Sequence, residues 1–451
     1  NMNNKQEINR QFIKYVIPSV IGMAVQAIYV ILDGIIVGQG IGEIGLAAVN
    51  IVFPYSMIII ALAMLLSVGG ANVYSFYKGQ DKLTKANNIF CQSIALSAAL
   101  GVILALFSFF FRDQLVLLAG SNEALFSSAT VYLKWLSPFF LFQMIICGLS
   151  IFIRNDDAPR LVMIASVTGA IVNAILDVVF ILILHYGIEF AAITNGIGML
   201  LELMFYATYF ARKKGMLRIH KPMFRFEDIR RVIRNGFATF LMEFSLPVVT
   251  FTFNLAIIRT VGTLGVTAYS IVGYVCSIIN MVLIGVTQGA QPLMSLYHGK
   301  NDKEAFLHTY HLGMKVNVIL PILLVGISIV FSKNIVMLFR GDNPELTALT
   351  RQMMLFYPLA HIAIGPTLMN ILYFQTTEQN ALSTVISFLR CIGFIQIFVL
   401  LSITLFDGKG LYLAFLLGEM CHLLLSQTLV NRSKRRDVAL NNNGEQGRSL
   451  T

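Results

Sequence analysis

Three residues in the first long apolar stretch, Gln26, Tyr29 and Asp33, are spaced i, i+3, i+7. At that spacing they share one face of a helix. Asn173 and Asp177 are spaced i, i+4 on a second apolar stretch and share a face there. Asn195 adds an amide on a third. Carboxylate, amide and phenol oxygens are hard donors, suited to a proton or a small hard cation such as Na+. Two carboxylates close together in a dry site resist double ionisation, so such a pair would load a proton or a cation near physiological pH. The sequence holds no GxxxxGK[ST] loop, no HExxH and no nucleophile elbow. Neither an ATP-driven pump nor an enzyme is expected, and no organic cofactor. The five cysteines are scattered, without CxxC spacing, and suggest neither a metal site nor a disulfide framework.

The elements that carry these residues are membrane helices. The chain has 451 residues, 57% hydrophobic and 12% charged, where soluble domains carry about 25% charged. A span needs about 20 apolar residues. Twelve stretches qualify: 15–38, 45–77, 87–111, 130–153, 161–184, 188–211, 236–259, 265–297, 311–332, 350–374, 382–405 and 410–431. The second and eighth are too long for a simple span and should project past the bilayer or bend. Counted from Tyr15, Asp33 lies about 27 Å up its helix; counted from Leu161, Asp177 lies about 24 Å up. Asn195 sits near the same end of the sixth span. Three helices of the first half therefore bring an oxygen ligand to one depth.

With the N-terminus in the cytoplasm, 26 of the 33 Lys and Arg fall in inner segments and seven at the outer ends. The positive-inside rule then puts both termini in the cytoplasm of a multi-pass protein of the inner (plasma) membrane. The net charge of +10 is accounted for by this topology and by an anionic lipid leaflet, so no nucleic-acid partner is expected.

The chain matches itself at a shift of 220. Gly42, Gly45, Ala48, Ile51, Val52, Ile58, Ile59, Gly69, Ser75, Tyr77 and Gly79 recur as Gly262, Gly265, Ala268, Ile271, Val272, Ile278, Ile279, Gly289, Ser295, Tyr297 and Gly299. Pro138 likewise recurs as Pro358. Each repeat holds six spans, an even number, so both halves enter the membrane the same way. The expected fold is all-α, with two parallel six-helix bundles related by a pseudo-two-fold axis along the membrane normal. The expected domains are an N-terminal lobe (1–211), a cytoplasmic linker with an amphipathic surface helix (212–235), a C-terminal lobe (236–431) and a disordered cytoplasmic tail (432–451). The repeat also discriminates among the acids. At the matching shifts Asp33 falls on Phe253, Asp177 on Val399 and Asn173 on Ile395, so the acidic cluster exists in one half only.

The pattern Pro18, Gln26, Tyr29, Asp33, followed by Gly40, Gly45, Leu46, Ala47, Ala48 and Val49, resembles the multidrug and toxic compound extrusion (MATE) family. The YxGQD turn (Tyr77, Gly79, Gln80, Asp81) and the NxxxD of the fifth span (Asn173, Asp177) resemble it too. The similarity covers residues 10–430. It implies a secondary-active exporter of lipophilic, often cationic organic compounds, working as a monomer. Inward H+ or Na+ drives it by rocking alternating access. The wider superfamily includes flippases for lipid-linked sugars, which is the alternative; those carry a more basic cavity. The resemblance gives Tyr29, Asp33, Asn173 and Asp177, with Thr194 or Asn195, the role of a cation-coupling network.

Other intramembrane polar groups stay open between substrate contact and packing. Gln26 lines either the cavity or the coupling site. Glu243 resembles a span-seven glutamate of sodium-coupled branches, but the matching aspartate is absent around Ile364, Gly365 and Pro366. It is therefore taken as a substrate contact, together with Glu202. Glu419 is either a substrate contact or a packed acid. Pro18 is expected to let the first span bend.

Overall fold

The computed structural model describes residues 2–119, 121, 123–213, 215–340, 344–406 and 410–448. All regular structure among them is helical. The helices are α1 (Met2–Gly40), α2 (Glu43–Gly79), α3 (Leu83–Phe110), α4 (Arg112–Leu118), α5 (Glu123–Leu136), α6 (Phe139–Asn155), α7 (Pro159–Asp177) and α8 (Ile188–Arg212). The second repeat supplies α9 (Phe226–Thr260), α10 (Thr263–Gly299), α11 (Lys303–Val330), α12 (Ser332–Arg340), α13 (Pro344–Phe356), α14 (His361–Thr376), α15 (Asn380–Ile392), α16 (Phe394–Phe406) and α17 (Leu411–Arg448). Eleven stretches are long and apolar enough to cross a membrane, and α5 with α6, bent by 52°, makes the twelfth. The chain is an all-α polytopic membrane protein.

Both repeats break their fourth span at the same proline. Pro138 follows α5 and opens α6, and Pro358 opens the 3-10 turn between α13 and α14. Proline lacks the N–H that would continue the helix and restricts the residue before it. The long second and eighth spans are unbroken helices of 37 residues each, about 55 Å and so longer than the roughly 30 Å hydrocarbon core.

The chain forms two compact units. The first comprises Asn1–Pro247 and Asn280–Gly313, the second Val248–Ile279 and Met314–Thr451. The sequence repeat divides between α8 and α9, whereas the contacts divide α9 and α10 themselves.

Within the first unit, the recurring glycines of the repeat have a packing reason. Gly79 ends α2 and Gly299 ends α10, and these ends cross backbone to backbone. A Cβ on Gly79 would collide with the Leu296 carbonyl oxygen, and one on Gly299 with that of Phe76. Beside this crossing runs a buried amide network. Asn72 Nδ2 donates to Asn235 Oδ1 (2.8 Å), while Asn72 Oδ1 accepts from Gln291 (2.5 Å) and Ser295 (3.1 Å). Asn155 Nδ2 donates to Gln291 Oε1 (3.0 Å). Buried amides are tolerable because they are partnered.

The connection after α6 is fixed by its own acids. Asp156 accepts from Tyr74 (3.0 Å), from Tyr209 and from the backbone N–H groups of Met216 (2.6 Å) and Leu217 (2.9 Å). Asp157 pairs with Lys78 (2.8 Å) and accepts from Tyr15. Burial pushes the Asp157 carboxyl up, but the Lys78 ammonium and the Tyr15 hydroxyl outweigh it and hold the group below the usual carboxylate range. The segment expected to be linker runs without regular structure over 217–225. Side chains of α3 clamp it there: Asn87 donates to the Met216 carbonyl (3.1 Å) and Asn88 to that of Met223 (3.0 Å). The helix expected in the linker is the start of α9, continuous with the seventh span.

In the second unit, Phe253 is fully buried and packs against Tyr269, Tyr357 and Phe415. Glu419 is fully buried and accepts from Arg390 (2.9 Å). The residues expected as a disordered tail continue α17 as helix to Arg448. No proline interrupts the chain there, so nothing stops the helix where the apolar pattern does.

Gly299→Leu should lower the thermal midpoint of the purified protein, at a cost of about 1–3 kcal/mol for overpacking against backbone. Gly326→Leu, with no atom within 4 Å of its Cβ position, should melt close to wild type.

Candidate cation-coupling site

Asp33 sits two turns above Gln26 on α1, and Asp177 is the last residue of α7. Beyond Asp177 the chain continues as one π-helical stretch, Val178–Ile183. A π-turn widens the helix locally and interrupts the ordinary hydrogen-bond ladder. Nothing in the apolar run VVFILI announces it, so the sequence did not reveal this break.

Helices α7 and α8 approach closely below the acid. Gly169 and Gly198 face each other, and a Cβ on either would lie about 3 Å from the other's carbonyl oxygen (3.0 and 2.9 Å). That approach lets α8 present Thr194 to α7. The Thr194 hydroxyl donates to Asp177 Oδ1. Asn173, with its amide nitrogen turned towards the carboxylate, donates to Asp177 Oδ2 (2.5 Å). Its oxygen then accepts from the Tyr29 hydroxyl (2.9 Å) and the Asn195 backbone N–H (3.2 Å). The Asp33 and Asp177 carboxyl groups are within hydrogen-bonding distance of each other. Asp177 and Thr194 are fully buried and Asn173 nearly so, at 3% exposure.

The structure therefore brings Tyr29, Asp33, Asn173, Asp177 and Thr194 together. Asn195 contributes its main-chain N–H. Tyr132 of α5, which sequence reasoning passed over, is buried within electrostatic reach of both acids. An isolated tyrosine on an apolar helix gives no signal until the packing is known.

Two carboxyl groups in contact, out of water, cannot both stay charged without a counter-charge. The group can take a proton between them, or a small cation among oxygen donors from Asp33, Asp177 and Thr194, with Asn173 joining once its amide turns its oxygen towards the acids. The donors are all oxygen, which suits H+ or Na+ and not a soft metal. Among the described residues no three His, Cys, Asp or Glu side chains gather as a metal site.

The remaining candidates are spread through the molecule. Gln26 lines a cavity bounded by α1, α6 and α7. Glu202 on α8 accepts from Tyr206 (2.5 Å) and Ser166 (3.0 Å). Glu243 lies partly buried on α9, and both it and Glu202 act electrostatically on Cys147. Pro18 is inside α1, not at its start. Glu419 belongs to the second unit, paired with Arg390. At the repeat positions of Asp33, Asn173 and Asp177 stand Phe253, Ile395 and Val399, all buried apolar groups.

The family model named MatE matches residues 18–179 and again 238–401, one match per repeat. The chain belongs to the MatE family. It is a transporter, not an enzyme. This MatE chain is 22% identical over 438 residues to the multidrug export protein MepA of Staphylococcus saprophyticus, covering 94% of each chain. Its fold matches an outward-facing multidrug resistance MATE family transporter of the MOP superfamily. There the TM-score is 0.89 at 21% identity, over 95% of this chain and 97% of that one. It also matches a MOP superfamily transporter from Pyrococcus furiosus described as having a binding pocket of reverse polarity. That TM-score is 0.87 at 21% identity, again over 95% and 97%.

Thr194→Val keeps the shape of the side chain and removes its bond to Asp177. We expect a loss of about 1 kcal/mol in stability, read as a modest drop in thermal midpoint. The intact fold should still form, so the circular dichroism spectrum should not change.

Proposed function

We propose that this MatE chain exports lipophilic, often cationic organic compounds in exchange for H+ or Na+ entering through the Asp33–Asp177 site. The observation that carries the reading is the contact between these two acids, walled by Asn173, Tyr29 and Thr194 and absent from the second repeat. Retention of such a group in one half argues for a working role, since helix-to-helix glue would serve both halves equally. Similarity over nearly the whole chain to proteins named as multidrug exporters supports the same reading.

The mechanism follows from charge. With the acids ionised, the first unit carries negative charge that attracts a lipophilic cation. Uptake of a proton or Na+ by Asp33 and Asp177 cancels that charge and lowers affinity for the cation. Coupling requires the two ligands to compete or to favour different states of an alternating-access cycle. Gln26, Glu202 and Glu243 serve as substrate contacts in this scheme, and Pro18 as the site where α1 bends. The distribution of Lys and Arg supports cytoplasmic termini in the plasma membrane.

The test is efflux of a fluorescent cation from vesicles with pH and Na+ gradients imposed separately. Asp33→Asn should abolish gradient-driven efflux while the protein still folds and inserts. Efflux at the wild-type rate in that variant would overturn the assignment.

A further inference from the structure

Arg154 ends α6 and is 93% buried by residue surface, with a relative exposure of 7%. Among the described residues its one hydrogen bond runs from Nη1 to Gln288 Oε1 (2.8 Å), a neutral acceptor. No carboxylate lies within ion-pair distance of it among the described residues. The nearby acids are committed elsewhere. Asp156 serves Tyr74, Tyr209, Lys78 and two backbone N–H groups. Asp157 holds Lys78 and Tyr15, and Glu202 holds Tyr206 and Ser166. A guanidinium carries five N–H donors and its charge persists at physiological pH. Buried with a single neutral partner, it is costly unless something else meets it.

That something has room for a small head group. Arg154 lines a partly open pocket of about 50 Å³ together with Pro18, Gln26, Pro159, Met163 and Ser166. Pro159 is the first residue of α7, a helix of 19 residues whose N-terminus has no side-chain cap. The first-turn amides of an uncapped helix favour negative charge. The Arg154 guanidinium and the start of α7 both line this cavity, alongside the apolar wall of Met163 and Pro18. An anion with an apolar tail matches both parts.

We propose that this cavity receives the anionic head of an amphiphile, a carboxylate or a phosphate, with Arg154 as its partner. The acids at Asp33 lie about 22 Å further along α1, counted from Pro18, so an anion here need not meet them. The site extends the cargo from cations to amphiphiles with an acidic group. Only the statement that the bound amphiphile is cargo rests on the exporter reading; the site itself stands on the unpaired arginine.

The probe is dansylaminoundecanoate, compared with its methyl ester, bound to purified full-length protein in neutral detergent and read by dansyl fluorescence. Wild type should bind the acid more tightly than the ester. Arg154→Gln should lower the acid-to-ester affinity ratio about tenfold, as expected for losing a charge-assisted hydrogen bond. Arg154→Lys, which keeps charge but not the fork, should fall between. Equal binding of acid and ester by wild type overturns the proposal without any variant, and so does an unchanged ratio in Arg154→Gln. Added phosphatidylglycerol separates the sources of the head group. If it displaces the acid where phosphatidylcholine does not, the natural occupant is a membrane lipid. If neither displaces it and proteoliposomes export the acid down an imposed gradient, the occupant is cargo. Both results keep an anion on Arg154. Arginine-dependent binding combined with no export of any cation would sink the exporter reading and leave the site intact.

Discussion

Two carboxyl groups held in contact inside an apolar helix bundle are the constraint around which the first unit is arranged. Neither Asp33 nor Asp177 could be kept there by apolar neighbours alone, because an unpaired buried charge is costly. Asn173 and Thr194 donate to Asp177, Tyr29 holds Asn173 in place, and Gly169 and Gly198 let α7 and α8 come close enough for this. The π-helical stretch after Asp177 then accommodates a chain that must leave the acid without a regular helical ladder. In the second unit the equivalent positions hold Phe253, Ile395 and Val399, all buried, and Phe253 packs among the rings of Tyr269, Tyr357 and Phe415. One ancestral six-helix plan has thus been made into a polar, titratable half and an apolar half.

The same asymmetry recurs in how buried charge is handled elsewhere. Glu419 meets Arg390 directly, and Lys78 meets Asp156 and Asp157. The first pair is internally neutral; in the second the extra carboxylate is met by the Tyr74, Tyr209 and Tyr15 hydroxyls and by two backbone N–H groups. Asp33 with Asp177, and Arg154 beside its cavity, meet no neutralising ion-pair partner among the described residues. Sites whose charge balance is left incomplete are the ones that can respond to a ligand.

Much of this was legible in the residues. Period and length gave the spans, and the shift of 220 gave the duplication. The i, i+3, i+7 and i, i+4 spacings gave the helix faces that meet at the acid pair. What sequence could count was depth along each helix; rotation about the helix axis depends on packing. The ligand from α8 therefore stayed open between Thr194 and Asn195, and the Thr194 side chain is the one that reaches Asp177. Tyr132 and Arg154 were missed for the same reason. The bend at Pro138 and the 3-10 turn at Pro358 were visible only as matching prolines, and the helix continuing through the C-terminal polar residues ran against their composition.

The direct test of the account is the affinity of purified protein for tetraphenylphosphonium, measured against pH and against Na+ concentration. It is compared with the Asp33→Asn, Asp177→Asn double variant. A charge switch predicts that wild type loses affinity as pH falls or Na+ rises, and that the double variant binds with no dependence on either. Wild-type binding indifferent to both ions, or a double variant that keeps the wild-type dependence, would contradict it.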